Sequence, residues 1–256
     1  EKILDFYHQN TFEFSIKDAQ REHYLVEYQY RILPCAMPED DWELYKTFSR
    51  EIVQLQHTLE QEDNEKEQLR LRQRIEGRYR DRAKLLKKND QKAQTLQTIF
   101  DEIPPTARVL IYGDDLHHLA EIGQALDHMG KYYFKYTGEL DAQKERPTIL
   151  KEFRQGIRKI LLAVGCLDEG IDIPACDVAV FISSSTSERQ FIQRRGRVLR
   201  VAPGKTSAWI YDYLVYPILS ARTNDDERRL ALSMIDAQYR RINLMVEDAI
   251  NGIQER

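Results

Sequence analysis

Residues 107–139 read ARVLIYGDDLHHLAEIGQALDHMGKYYFKYTGE, and this stretch indicates the fold class of the chain. A short apolar run, ARVLIY, precedes an amphipathic segment at 115–129, and a second short run, YYFKYT, follows it. A strand, a helix and a second strand in this order are typical of a βαβ unit, in which the two strands lie parallel. Gly130 stands where a helix C-cap is expected, since glycine tolerates a positive φ.

The same alternation continues towards the C-terminus. The further apolar runs are KILLAV (159–164), VAVFIS (178–183) and SAWIYDYL (207–214), with helical patterns near 147–155 and at 187–195. Short apolar runs that alternate with amphipathic helices predict a parallel sheet covered by helices on both faces. The predicted fold class is therefore α/β.

The N-terminal part of the chain has a different pattern. Residues 24–37 form an extended tyrosine-rich run after a short helix, and from Pro38 the pattern is helical to about residue 88. These changes divide the chain into a lead-in helix and strand (1–37), a helical insertion (38–103), an α/β unit (104–215) and a C-terminal helical segment (216–256). We expect that last segment to be helical over 217–252.

A row of arginines marks the second half of the helical insertion. Arg70, Arg74, Arg78 and Arg82 recur every four residues, so they share one face of a helix. The row is compatible with a stripe that follows a phosphate backbone, and also with a solvated face beside acidic partners. The second interpretation is the commoner one and is favoured.

Composition excludes several classes of protein. The chain has 256 residues, a net charge of −4 and 42% hydrophobic residues, which is typical of a globular protein rather than a disordered one. No run approaches the ~18 apolar residues of a membrane span, so no membrane partner is expected. Cys35, Cys166 and Cys176 are too few and too scattered for a disulfide framework or a zinc site, so we expect no metal site here. A cytoplasmic or nuclear location is the corresponding expectation.

Gly204-Lys205-Thr206 looks like the end of a phosphate-binding loop, but the context is wrong. Such a loop needs a glycine five residues before its Gly-Lys pair, and Leu199 occupies that position. The triplet is therefore predicted to be a turn that leads into the strand SAWIYDYL.

Unusual loops follow the strands of the predicted sheet. These are GDD (113–115), TGE (137–139), AVGCLDEGIDIP (163–174) and, farther on, QRRGRVLR (193–200). Ligands of parallel sheets gather at the C-terminal ends of strands, so these loops are candidates for one binding surface. Either Asp114 or Asp115 is expected to cap the following helix.

In this order and spacing the loops resemble the late motifs of superfamily 2 helicases and translocases. They correspond to the second of the two RecA-like lobes, which implies a RecA-like sheet with helices on both faces. The form GIDIPACDVAVFISSS with QRRGRVLR looks most like the DNA-directed branch of XPB, UvsW-type and type III restriction helicases.

The resemblance implies roles for particular residues. ATP with Mg²⁺ would bind between two lobes, and the missing first lobe of the same polypeptide would supply the phosphate loop and the metal ligands. Arg197 and Arg200 match the two arginine fingers, Gln193 matches the polar residue before them, and Gly170 and Asp172 match the motif that touches the ribose. The residues that match strand-gripping loops are Gly113, Asp114, Thr137, Gly138, Val164 and Gly165.

The sequence thus predicts the C-terminal half of an ATP-dependent DNA helicase or translocase that is inactive as an ATPase by itself. Two alternatives stay open. An RNA-directed helicase of the same architecture carries similar motifs, because a grip on phosphates does not distinguish the sugars. A non-catalytic interaction module is the other. The roles of Arg194 and Arg195 are left undecided between ligand binding and internal salt bridges.

Overall fold

The computed structural model describes residues 14–87, 89, 91–140, 144–164, 176–182 and 188–252. The strands are β1 (Glu27–Met37), β2 (Val109–Gly113), β3 (Phe134–Tyr136), β4 (Ile160–Val164), β5 (Val178–Phe181) and β6 (Ser207–Pro217). The helices are α1 (Ile16–Arg21), α2 (Glu39–Glu60), α3 (Glu65–Lys87), α4 (Gln91–Gln94), α5 (Leu96–Glu102), α6 (Leu116–His128), α7 (Glu145–Arg154), α8 (Glu188–Val198) and α9 (Asp225–Val246).

The strands form one sheet in the order β1-β6-β5-β2-β4-β3, and every neighbouring pair is parallel. The predicted parallel sheet is therefore confirmed. The lead-in strand β1 pairs with β6 along its whole length, from Glu27 opposite Ser207 to Met37 opposite Pro217. The sheet thus joins residues from the two ends of the chain.

Helices cover both faces of this sheet, as predicted. Along β2, Leu110 and Tyr112 point into one core while Val109 and Ile111 point into the other, as the period of two in a strand requires. Helices α7 and α8 pack on the first face, and α2, α5 and α6 pack on the second. Helix α9 contributes to both cores, with Met234 in the second and Met245 in the first.

The helical insertion is a hairpin of two long helices rather than one helical run. The chain breaks after α2, and the Asn64 side chain accepts hydrogen bonds from the backbone N–H groups of Lys66 (3.0 Å) and Glu67 (3.3 Å) at the start of α3. This is the N-cap interaction that asparagine favours.

The C-terminal helix is shorter than the predicted 217–252. Strand β6 continues to Pro217, and Asn224 caps α9 by accepting from the Glu227 N–H at 2.9 Å, so the helix runs only over Asp225–Val246. Beyond it, the Asn251 side chain bonds the N–H (2.9 Å) and the carbonyl (2.8 Å) of Tyr30 on the outer edge of β1. An edge strand that is capped in this way offers less template for pairing with another chain.

Candidate functional site

Three of the predicted strand-gripping residues lie side by side at the C-terminal edge of the sheet. Gly113 ends β2 and is in register with Val164 at the end of β4, while Tyr136 of β3 is in register with Ala163. Thr137 therefore follows directly beside Val164. Neighbouring strands lie about 4.8 Å apart, so these residues lie close together at this edge.

The loop after β2 settles which aspartate caps α6. The Asp115 carboxylate accepts from the His118 N–H at 2.8 Å and is the N-cap, whereas the Asp114 carboxylate bonds Lys87 Nζ at 2.8 Å. A β-carbon on Gly113 would lie 2.7 Å from Leu119 Cδ2, so glycine at this position lets α6 pack closely on β2. Asp114 is thereby tied to the end of the helical insertion.

The loop after β3 presents its glycine and hides its threonine. Thr137 is 5% exposed, whereas Gly138 is exposed. Arg146 on α7 donates to the Gly138 carbonyl at 2.8 Å and lies 5.9 Å from the centre of the Tyr136 ring. Arg146 fixes this loop, a role that sequence reasoning missed.

Gly165, Gly170 and Asp172 lie outside the described residues. Their roles stay predictions.

Helix α8 turns its remaining candidate residues outward. Gln193 and Arg200 are exposed and Arg197 is half-buried. A spacing of four residues places Gln193 and Arg197 on one helical face. Arg200 follows two residues after the end of α8, where its side chain is also exposed.

The opposite side of α8 is anchored in the protein. Arg194 is 6% exposed and its guanidinium lies 5.0 Å from the centre of the Tyr112 ring. Arg195 is 5% exposed and forms an ion pair with Asp248, 3.1 Å from Nη1 to Oδ2. Both side chains are therefore buried within the fold, and the internal salt bridge that the sequence left open is present for Arg195.

The end of α8 is also held in place. Lys205 is buried and its Nζ donates to the carbonyl of Val198. The Val26 N–H donates to the Leu199 carbonyl at 2.8 Å, and Leu25 forms an antiparallel bridge with Arg200. Gly204 has a φ of +77°, which confirms the predicted turn into β6 and gives Lys205 a structural role.

A second anchor at the C-terminal edge of the sheet was not foreseen from the sequence. Lys92 is buried, and its Nζ donates to the carbonyls of Leu86 (2.6 Å) and Ile182 (2.9 Å). Asn89 is buried beside it and donates to the Ala36 carbonyl at 2.9 Å. The helical insertion is therefore tied to the ends of β1 and β5, and burial lowers the pKa of Lys92 to about 7.

Most of the arginine row on α3 has partners within the hairpin. Arg78 forms an ion pair with Glu51 of α2 at 2.5 Å. Arg82 donates to Ser49 Oγ at 3.2 Å and lies 5.2 Å from the centre of the Tyr45 ring. These contacts support the interpretation of this row as a structural, partly solvated face.

Comparison with known proteins links these features to a family model. Residues 91–202 match the family model of the helicase conserved C-terminal domain. The match covers 112 of the 256 residues, and this stretch is similar to a helicase C-terminal domain. The matched region contains α8, the C-terminal ends of strands β2 to β5 and Lys92. The solved structure of the C-terminal part of the Fun30 ATPase domain has the same fold, with a TM-score of 0.55 and 11% identity over 84% of this chain and 99% of that one.

Curated relatives match shorter stretches of the chain. Dicer-like protein 2-1 of Aspergillus niger is 47% identical over 58 residues, 23% of this chain and 4% of the relative. The DNA 3'-5' translocase XPB2 of Sulfurisphaera tokodaii is 41% identical over 56 residues, 22% of this chain and 13% of the relative. The matches include both kinds of protein, so they do not single out the XPB branch that the sequence motifs favoured.

Two further findings concern the part of the chain that the structure describes. Among those residues, no three His, Cys, Asp or Glu side chains are grouped as ligands of a metal ion. None of the described helices has the length and hydropathy of a membrane-spanning segment.

Proposed function

We propose that this chain is the second-lobe half of an ATP-driven superfamily 2 helicase or translocase that acts on DNA. The observation that carries the proposal is the division of α8, with Gln193, Arg197 and Arg200 on its outer surface and Arg194 and Arg195 buried beneath them. In a helicase C-terminal domain, that outer surface faces the γ-phosphate of an ATP held by a first lobe.

The chemistry of phosphoryl transfer explains why guanidinium groups are needed. Negative charge spreads over the γ-phosphate oxygens in the transition state, and an arginine presented by a separate body stabilises it. A rigid planar guanidinium presents its donors in a fixed fork, whereas a lysine ammonium is a compact point charge. Arg197 and Arg200 would supply this stabilisation, and Gln193 would orient the nucleotide.

The C-terminal edge of the sheet would grip the nucleic-acid strand. Gly113, Val164 and Gly138 lie at the ends of neighbouring strands, and the exposed Gly138 would offer its backbone to the phosphates and sugars of a bound strand. Together with Asp114 and Thr137 they form the predicted contact surface. Gly165, Gly170 and Asp172 belong to the same proposal through the motif that they match.

The proposal predicts that this chain alone does not hydrolyse ATP, because neither a phosphate loop nor the metal ligands are found in its sequence motifs. The complete protein should hydrolyse ATP, and nucleic acid should stimulate it. Turnover by the purified 256-residue chain that disappears in the Arg197→Ala variant would contradict the two-lobe site.

The choice of DNA is supported by the 41% identity with the XPB2 translocase segment. Because a Dicer-like relative is similar over a stretch of comparable length, duplex RNA is the necessary comparison. ATPase activity of the complete protein should be measured with duplex DNA and duplex RNA of the same sequence. Stronger stimulation by RNA would overturn the DNA part of the proposal and leave the ATPase part intact.

A further inference from the structure

The buried side of α8 is connected to the C-terminal helix through one arginine. Arg195 Nη1 donates to the Leu244 carbonyl at 2.7 Å and to the Asp248 carboxylate at 3.1 Å. It also donates to Tyr28 Oη at 3.4 Å, and Tyr28 in turn donates to the Met245 carbonyl at 2.5 Å. One guanidinium thus links α8 to β1 and to the last turn of α9.

The energetics of this link favour a fixed geometry. The carbonyls at the C-terminal end of a helix carry a partial negative charge, which a cation stabilises. The Arg195 and Asp248 side chains are 6% and 18% exposed, so water screens their interaction little. Burial raises the pKa of Tyr28 to about 12, so its hydroxyl keeps the proton that it donates to α9.

Arg195 is close in the chain to the two outward arginines of α8, so its bonds to α9 affect their placement. Arg195 lies two residues before Arg197 on the same helix, so a shift of its anchor moves both outward arginines together. Gly196 lies between them, and, its chain neighbours and the backbone of its own helix aside, no described atom lies within 4 Å of the place where its β-carbon would be, so no contact with another element holds the helix at this residue. The anchor at Arg195 and the bonds at Val198 and Leu199 do so instead.

We infer that Arg195 is a positioning residue, which sets the placement of Arg197 and Arg200 by tying α8 to the C-terminal end of α9. This inference rests on the proposed function of α8. It adds that the C-terminal helix takes part in ATP turnover without contacting the nucleotide. A misplacement of about 1 Å in a catalytic group can cost on the order of a hundredfold in rate.

The test uses the complete protein and compares Arg195→Met, Arg197→Ala and the double variant. We expect Arg195→Met to lower kcat by on the order of tenfold to a hundredfold while KM for ATP changes less than about threefold. The double variant should be no slower than Arg197→Ala alone, because residues that act through one group are not additive. Asp248→Asn is a milder second variant and should give a smaller loss of the same kind.

A matched control separates positioning from stability. Arg108 forms a similar ion pair with Asp177 at 2.8 Å, and this pair precedes β2 and β5, at the end of the sheet opposite to the predicted strand-gripping residues. Arg108→Met should lower the thermal midpoint but leave kcat unchanged. If Arg195→Met or Asp248→Asn folds and turns over ATP like Arg108→Met, the inference is wrong; additive losses in the double variant also overturn it. If Arg197→Ala itself turns over ATP normally, the proposed function fails as well.

Discussion

Helices α3 and α8 are both rich in arginine at helical spacing, yet they use it in opposite ways. On α3 most arginines of the row bond within the same hairpin, as Arg82 does between Ser49 and Tyr45. On α8 the arginines are divided, and those in the core hold the helix while Arg197 and Arg200 face outward.

The difference shows that arginine spacing alone does not identify a binding surface. An arginine has a planar group with several donors, which a neighbouring helix can satisfy if it offers carboxylates and aromatic faces. Helix α2 offers Glu51, Phe48 and Tyr45 to α3. The buried arginines of α8 interact with groups beneath the helix, namely Tyr112, Asp248 and the end of α9.

The largest expected effect separates the two helices by function. Arg197→Ala should lower the nucleic-acid-stimulated ATPase rate of the complete protein by roughly 10³-fold or more, as arginine fingers do. Arg74→Ala on α3 is the matched control, since Arg74 is also an exposed arginine in an arginine row. Steady-state turnover at saturating ATP is the measurement. Equal rates for the two variants would break the comparison.

The second largest effect is expected on stability, at the buried ion pair between Arg241 and Asp212 beneath α8. Arg241 of α9 bonds the fully buried Asp212 carboxylate at 2.9 Å and lies 5.5 Å from the centre of the Phe191 ring on α8. Arg241→Met leaves this carboxylate without its cation, so the free energy of unfolding should fall by about 3–5 kcal/mol. Arg229→Met is the control, because the Arg229 side chain is 79% exposed beside Asp226. Its free energy of unfolding should change by less than about 0.5 kcal/mol. Denaturant unfolding of this chain measures the loss in both variants. A similar small loss in each would contradict the claim that the buried ion pair stabilises the fold.

A pH dependence is expected at Lys92 in α4, whose ammonium bonds carbonyls at the end of α3. Burial lowers the pKa of Lys92 to about 7 in the folded chain, below its ordinary value in the unfolded chain. Between those two values the unfolded chain binds more protons, so this group makes the free energy of unfolding rise with pH, by up to about 1.4 kcal/mol per unit.

Subtracting the unfolding free energy of Lys92→Met from that of the wild type gives the contribution of Lys92 alone. This difference should become more positive from about pH 7.5 to about pH 9.5. A difference that stays constant over this interval would show that Lys92 keeps its charge in the core.

The smallest effect lies within the arginine row itself. Arg82→Ala removes the bond to Ser49 and the contacts with the rings of Tyr45 and Tyr79, so we expect a loss of about 1–2 kcal/mol in unfolding free energy. Arg74→Ala should cost less than about 0.5 kcal/mol. Thermal or urea unfolding measures both losses. Equal losses would contradict the distinction between Arg82, which packs on α2, and the exposed Arg74.

Much of the fold could be predicted because local patterns carry it. The apolar runs ARVLIY and KILLAV form buried strands of the parallel sheet. Because nearly all of their residues are apolar, their composition predicts burial on both faces. Gly130 follows the end of α6 with a φ of +64°, as its position indicated. The pairing of β1 with β6 was beyond reach, because it joins segments about 180 residues apart and no local signal encodes it.

The site was predictable to a similar extent. The outward face of α8 follows from helical spacing together with the resemblance of QRRGRVLR to a known motif. The partners of Arg195, Lys92 and Asp114 did not follow, because each lies on a distant element and depends on three-dimensional packing. The choice between Asp114 and Asp115 as the helix cap likewise needed the geometry, since either side chain suits the position.

The most direct test of the central claim compares ligands that mimic two stages of the reaction. The complete protein should be titrated, in the presence of nucleic acid, with a non-hydrolysable ATP analogue and with ADP plus aluminium fluoride, which mimics the transferring phosphoryl group. If Arg197 stabilises the transition state, Arg197→Ala should lower affinity for the aluminium fluoride complex far more than affinity for the ATP analogue. Equal losses for the two ligands, or none, would contradict the claim that α8 supplies an arginine finger.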